Sequence, residues 1–123
     1  MVKERNWNPK HDNFEFICSF KTISKMINDW ATEKGFWPDD GRNMGEIFAL
    51  IHSEVSEAFE ATRHKVSVKD EQCPDFTNLE VELADIIIRI MDLACAEGLH
   101  VSEALFAKMQ YNEGRPYKHG KTC

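Results

Sequence analysis

The stretch "NLEVELADIIIRI", Asn78 to Ile90, is mostly apolar and yet carries Glu80, Glu82, Asp85 and Arg89. Successive residues of an α-helix advance by about 100°. On that spacing Leu79, Leu83, Ile86, Ile87, Ile90 and Ala94 face one way, while Val81, Ala84 and Ile88 face another. A helix apolar over so much of its circumference is expected to be buried. What remains is a narrow polar seam of Asn78, Glu82, Asp85, Arg89 and Asp92. Thr77 and Glu80 form a capping-box pair and Gly98 a stop, so the helix is expected from Asn78 to Glu97. Glu80 thereby belongs to the cap. Glu82 and Asp85, three apart, share a face that has little room to expose them.

The flanking segments read in the same period. Asn43 followed by Glu46 predicts a helix from Met44 to about Lys65, with Met44, Ile47, Phe48, Ile51, Val55, Ala58 and Phe59 as its apolar stripe. With Ile51 at zero, Glu54 falls at about −60°, inside the apolar sector, Glu57 borders it, and Glu60 lies opposite on the surface. Upstream, Phe16, Phe20, Ile23, Ile27 and Trp30 predict a helix from Phe14 to about Lys34 whose stripe faces the core, stopped by Gly35. The loop "GFWPDDGRN" follows it. Downstream, "VSVKDEQCPDF" connects the second and third helices, and a fourth helix fits Val101 to about Asn112. Residues 1–12 and 114–123 are expected to be irregular. With no alternating strand pattern and no repeat, residues 1–123 read as a single all-α domain, a four-helix bundle.

A chain of 123 residues suffices for one domain with a real core. A formal net charge of −6 argues against a sequence-independent grip on a nucleic-acid polymer, which needs a basic surface to displace counterions. The four cysteines, Cys18, Cys73, Cys95 and Cys123, have no zinc-like spacing, and no signal-like apolar stretch precedes them. A reduced, cytoplasmic setting is expected, with no membrane partner, because every apolar stretch falls short of the roughly 20 residues a span requires.

Chemistry concentrates on the two Glu-x-x-acid pairs. Four carboxylates projected from neighbouring helices repel one another and lose hydration, and a divalent cation relieves both. Oxygen donors suit Mg²⁺ or Mn²⁺, with coordination positions left for water and phosphate oxygens. The plainer reading pairs these acids with Arg63, Arg89 or a lysine, or leaves them in a solvated groove. Lys108 and Asn112, four apart on the fourth helix, precede Arg115, Lys118, His119 and Lys121, a local cluster of phosphate donors in an otherwise acidic chain. Trp37, in the Pro/Asp/Gly loop, is the aromatic best placed to meet a nucleobase, whereas Trp30 lies on the core stripe.

Taken together, "EVSE" (Glu54, Glu57), "ELAD" (Glu82, Asp85) and the ending "KMQYNEGRPYKHGK" resemble the MazG-like all-α nucleoside triphosphate pyrophosphohydrolases, relatives of the dimeric dUTPases and dCTP pyrophosphatases. In the ending, Lys108, Asn112, Arg115, Pro116, His119, Gly120 and Lys121 carry the likeness. The resemblance covers the second to fourth helices and the tail. It implies an all-α bundle that oligomerises through its helices, a homodimer or homotetramer. It implies Mg²⁺-dependent hydrolysis of a nucleoside triphosphate, a dNTP or non-standard nucleotide, to monophosphate and pyrophosphate, in the service of nucleotide-pool housecleaning. Glu54, Glu57, Glu82 and Asp85 would hold the metal, Glu54 or Glu57 would accept the proton of the attacking water, and Lys108, Asn112, Arg115 and Lys121 would bind phosphates. Two rivals stand beside it. A di-iron bundle lacks histidines three residues after Glu54, Glu57 or Glu82; a non-catalytic helical metal- or partner-binding module would use the same acids without turnover.

Overall fold

Four α-helices carry most of what the computed structural model describes, residues 9–64 and 67–115: α1 Pro9–Glu33, α2 Met44–His64, α3 Asn78–Ala96 and α4 Val101–Glu113. Among the described residues there is no strand, only an isolated antiparallel bridge between Lys69 and Thr77 in the α2–α3 connection. The regular structure of the described residues is all-helical, as the periodicity predicts. α1 begins at Pro9, not Phe14, and so runs into the stretch expected to be irregular. Proline suits the first helical turn, where the N–H it lacks would find no partner.

Local chemistry sets the ends. At the start of α3 both halves of the capping box form: Thr77 Oγ1 accepts from the Glu80 N–H at 3.2 Å, and the Thr77 N–H donates to Glu80 Oε1 at 3.0 Å. At α2 the Asn43 side chain accepts from the Glu46 N–H at 3.2 Å, while the Glu46 carboxylate turns toward Arg42 at 3.9 Å. α1 and α3 end alike. Phe36 N–H reaches Ala31 O at 3.0 Å across Gly35 (φ 86°), and Leu99 N–H reaches Ala94 O at 2.9 Å across Gly98 (φ 64°). Only glycine adopts these positive angles without strain.

α3 packs against both α1 and α2, and α4 rests on α1. Among the described residues the buried apolar side chains are few and mostly small: Ala31, Ile47, Ala58, Ala61, Met91, Leu93 and Ala94. α1 turns a different face inward from the one its large residues mark. Its buried line runs through Ser24 and Ala31, with Ile17 and Ile27 half-buried, while Phe16, Ile23 and Trp30 are exposed. That is a rotation of roughly 70°, and the short Ser24 and Ala31 side chains let the helices approach more closely than an aromatic would. On α2, Ile47, Glu54, Ala58 and Ala61 go inward and Met44, Phe48, Val55 and Phe59 stay out. Nor is α3 enclosed: Leu83, Ile87, Ile88 and Ile90 are exposed in the single chain. Among the described residues no helix is long and apolar enough to cross a membrane.

Candidate metal centre

Glu54 occupies the middle of the buried line of α2, between Ile47 and Ala61, with only 8% of its surface exposed. A carboxylate there must find a partner or lose its charge. Its partner is Arg89 on α3, whose Nε and Nη2 both stand 2.9 Å from Glu54 Oε1. The same face of α3 presents Glu82 and Asp85, and one carboxylate oxygen from each of Glu54, Glu82 and Asp85 lies within 4.8 Å of the others. Among the described residues this is the one cluster of three potential metal ligands.

The electrostatics are those of a site short of positive charge. Loss of hydration, then the neighbouring Glu57 carboxyl, then Asp85 and Glu54, push Glu82 from its ordinary 4.5 up to about 7. Glu82 Oε2 is buried and has no hydrogen-bond partner. Asp85 is also raised, by loss of hydration first and the Glu54 charge second, with Arg89 pulling it back and Asp70 adding to the rise. Glu57 lies exposed on α2 beside Glu82. A hard divalent cation fits this donor set: three converging carboxylates, one of them with an orphaned buried oxygen, and a fourth at the rim.

A pocket of about 330 Å³ opens beside the cluster, with Glu54, Asp85, Arg89 and Asp92 on its polar side. Ile27, Trp30, Ala31, Phe36 and Ile88 form its apolar side, and Arg42 completes the lining. Trp30, expected in the core, is 54% exposed and faces this pocket because of the rotation of α1. Trp37 lies in a small recess with Arg42, Arg89 and Asp92. Its indole N–H donates to both oxygens of the buried Asp92, at 3.0 and 2.9 Å, and Asn28 Nδ2 donates to Asp92 Oδ1 at 2.9 Å. The Arg42 guanidinium stacks over the Trp37 ring at 5.1 Å.

The two acid pairs thus come together, but the basic residues do not join them. Lys108 and Arg115 lie over the Tyr111 ring, at 4.7 and 5.6 Å, on a helix that rests on α1. Neither they nor the half-buried Asn112 line the pocket. Lys121, with Pro116, Lys118, His119 and Gly120, lies outside the described residues. Two neighbours of the site, Asp70 and Arg42, went unread in the sequence, whereas Phe36 stands with Trp30 and Trp37 among the aromatics able to stack on a base. Asp70 accepts from the Gln72 and Cys73 N–H groups, both at 2.9 Å, and comes within electrostatic reach of Asp85; the Asp-x-x-Cys-Pro turn was its only signal. Arg42, its side chain 9% exposed, had none beyond its place in the loop. No protein-family model, curated protein or solved structure gives a significant match to the chain.

Proposed function

We propose that the chain is a Mg²⁺-dependent nucleoside triphosphate pyrophosphohydrolase of the MazG-like all-α kind, cutting between the α- and β-phosphates. The observation that carries the reading is the convergence of Glu54, Glu82 and Asp85 from two helices, with Glu82 Oε2 buried and unpartnered. Such a set of oxygen donors suits a hard divalent cation such as Mg²⁺ or Mn²⁺. When bound, the cation neutralises charge on the phosphates and makes a coordinated water more acidic.

The protein's own side chains do the rest. Glu57, at the exposed rim, accepts the proton of the attacking water, or Glu54 does so from the buried side. Trp30 and Phe36, which line the pocket, offer π-faces to the base, a role for which the sequence had favoured Trp37. Trp37 instead holds Asp92, and with it the pocket wall.

Lys108, Asn112 and Arg115, which do not line the pocket of their own chain, would bind phosphates there from a second copy. The uncovered stripes of Phe48, Val55 and Phe59 on α2 and of Leu83, Ile87 and Ile90 on α3 support a homodimer or homotetramer, since a monomer seldom leaves so many large apolar side chains bare. Incubation with a panel of canonical and modified nucleoside triphosphates and Mg²⁺ tests the reading. Pyrophosphate with monophosphate is expected, and the Glu82→Gln, Asp85→Asn double variant should lose both turnover and Mg²⁺-induced stabilisation while staying helical. Orthophosphate as the product, or Mg²⁺ stabilisation unaltered in the variant, would refute it.

A further inference from the structure

Arg89 sits where a metal centre has no obvious use for a cation. Among the described residues it is the only lysine or arginine in an ion pair with Glu54, Glu82 or Asp85, and it spends two of its three nitrogens on one oxygen of Glu54. Without a bound cation the pairing makes sense. It gives a buried carboxylate a partner of opposite charge and holds it toward Glu82 and Asp85, which otherwise repel it. With a divalent cation on the other side of the same carboxylate, a guanidinium and a doubly charged ion stand within a few ångströms in a partly desolvated place. Their repulsion then works against the hydrogen bonds that hold Arg89 on Glu54.

The guanidinium has somewhere to go. Its side chain is 32% exposed and lines the same pocket as Glu54, Asp85, Trp30 and Phe36, the space in which a bound nucleotide lies if the proposed function holds. Asp92, one turn further along α3, competes for it less strongly than a bare carboxylate, because its oxygens already accept from Trp37 and Asn28. A planar fork of donors matches a phosphate at least as well as a carboxylate.

We infer that Arg89 is the resting counter-ion of Glu54 and transfers to a phosphate oxygen of the nucleotide when a divalent cation takes its place. The inference rests on the proposed function and adds to it an exchange within the chain. The centre stays assembled when empty, cation alone binds weakly because it must displace Arg89, and cation and nucleotide bind cooperatively because each gives the other's displaced partner a home.

The test is the affinity for Mn²⁺ alone, read by electron paramagnetic resonance without nucleotide, in the full chain and in Arg89→Met. The variant should bind Mn²⁺ about tenfold more tightly, its competitor being gone, and with Mn²⁺ saturating should bind a non-hydrolysable α,β-imido nucleoside triphosphate about tenfold more weakly. A fixed clamp on Glu54 predicts weaker Mn²⁺ binding in Arg89→Met, and that result, or an unchanged affinity, overturns the exchange. Should Arg89→Met fail to fold, the unaltered chain decides. The Arg89 Nε–H, assigned by its loss from the nitrogen–proton spectrum of Arg89→Lys, should exchange slowly in chelator, quickly with Mg²⁺, and slowly again once the analogue is added. Protection unchanged by Mg²⁺ overturns the exchange alone; a chain that binds neither Mn²⁺ nor Mg²⁺ overturns the proposed function with it.

Discussion

Glu82→Gln places a neutral carboxamide where the structure holds a carboxyl pushed up to about 7. Between pH 4.5 and about 7 the folded chain keeps a proton on Glu82 that the unfolded chain releases, so stability without metal falls as pH rises through that window. At about 1.4 kcal/mol per pH unit the full displacement corresponds to about 3 kcal/mol. Water reaches one side of this half-buried group, and with that screening about 1 to 2 kcal/mol remains. For a domain of this size that is a fall in Tm of about 3 to 8 °C. Asp85, raised in the same direction, deepens the slope. Thermal melts in EDTA at fixed protein concentration, from pH 5 to 8, should show the unaltered chain losing stability while Glu82→Gln follows a flatter curve, equal at pH 5 and above it at pH 8. With Mg²⁺ the order reverses. The unaltered chain gains from the cation, increasingly as pH rises and the carboxyls give up their protons, and Glu82→Gln gains far less. Parallel curves for the two proteins in EDTA would refute the claim that loss of hydration, together with the Glu57, Asp85 and Glu54 carboxyls, strains Glu82 in the metal-free protein.

Thr77→Ala removes the hydroxyl half of the α3 capping box and should lower stability by about 1 kcal/mol, read by urea unfolding, with metal binding unchanged. Trp37→Phe deletes the indole donor to the buried Asp92 and should cost about 1 to 3 kcal/mol, whereas Asn28 alone continues to hold that carboxylate. Trp30→Ala, at an exposed pocket position, should raise KM for the nucleotide about tenfold while leaving Tm nearly unchanged, the opposite pattern to Trp37→Phe. Ile87→Asp, on the bare stripe of α3, should shift sedimentation equilibrium toward the monomer at micromolar concentration without loss of helix content. An assembly unaffected by it would place the interface elsewhere.

What could be read from the sequence is what short-range rules govern. The capping box at Thr77 and Glu80 and the glycine stops at Gly35 and Gly98 involve residues within a turn of one another, and each forms as read. Glu54 was legible too, because an acid inside an apolar sector stays there whichever neighbour covers the sector. Tertiary structure decided which sector each helix turns inward. Periodicity gives α1 a stripe of large residues, but close approach to α3 favours its small ones, so Ser24 and Ala31 face in and Trp30 is left on the pocket. It also decided the partners of the charges. Nothing local links Arg89 to Glu54, thirty-five residues away, or Trp37 to Asp92, fifty-five away, and these long-range pairs define the candidate site as much as the acids do. The four carboxylates were written in the sequence because a helix sets their spacing; Arg89 was there one candidate counter-ion beside Arg63 and the lysines, and only the packing of α2 against α3 selects it, for Glu54.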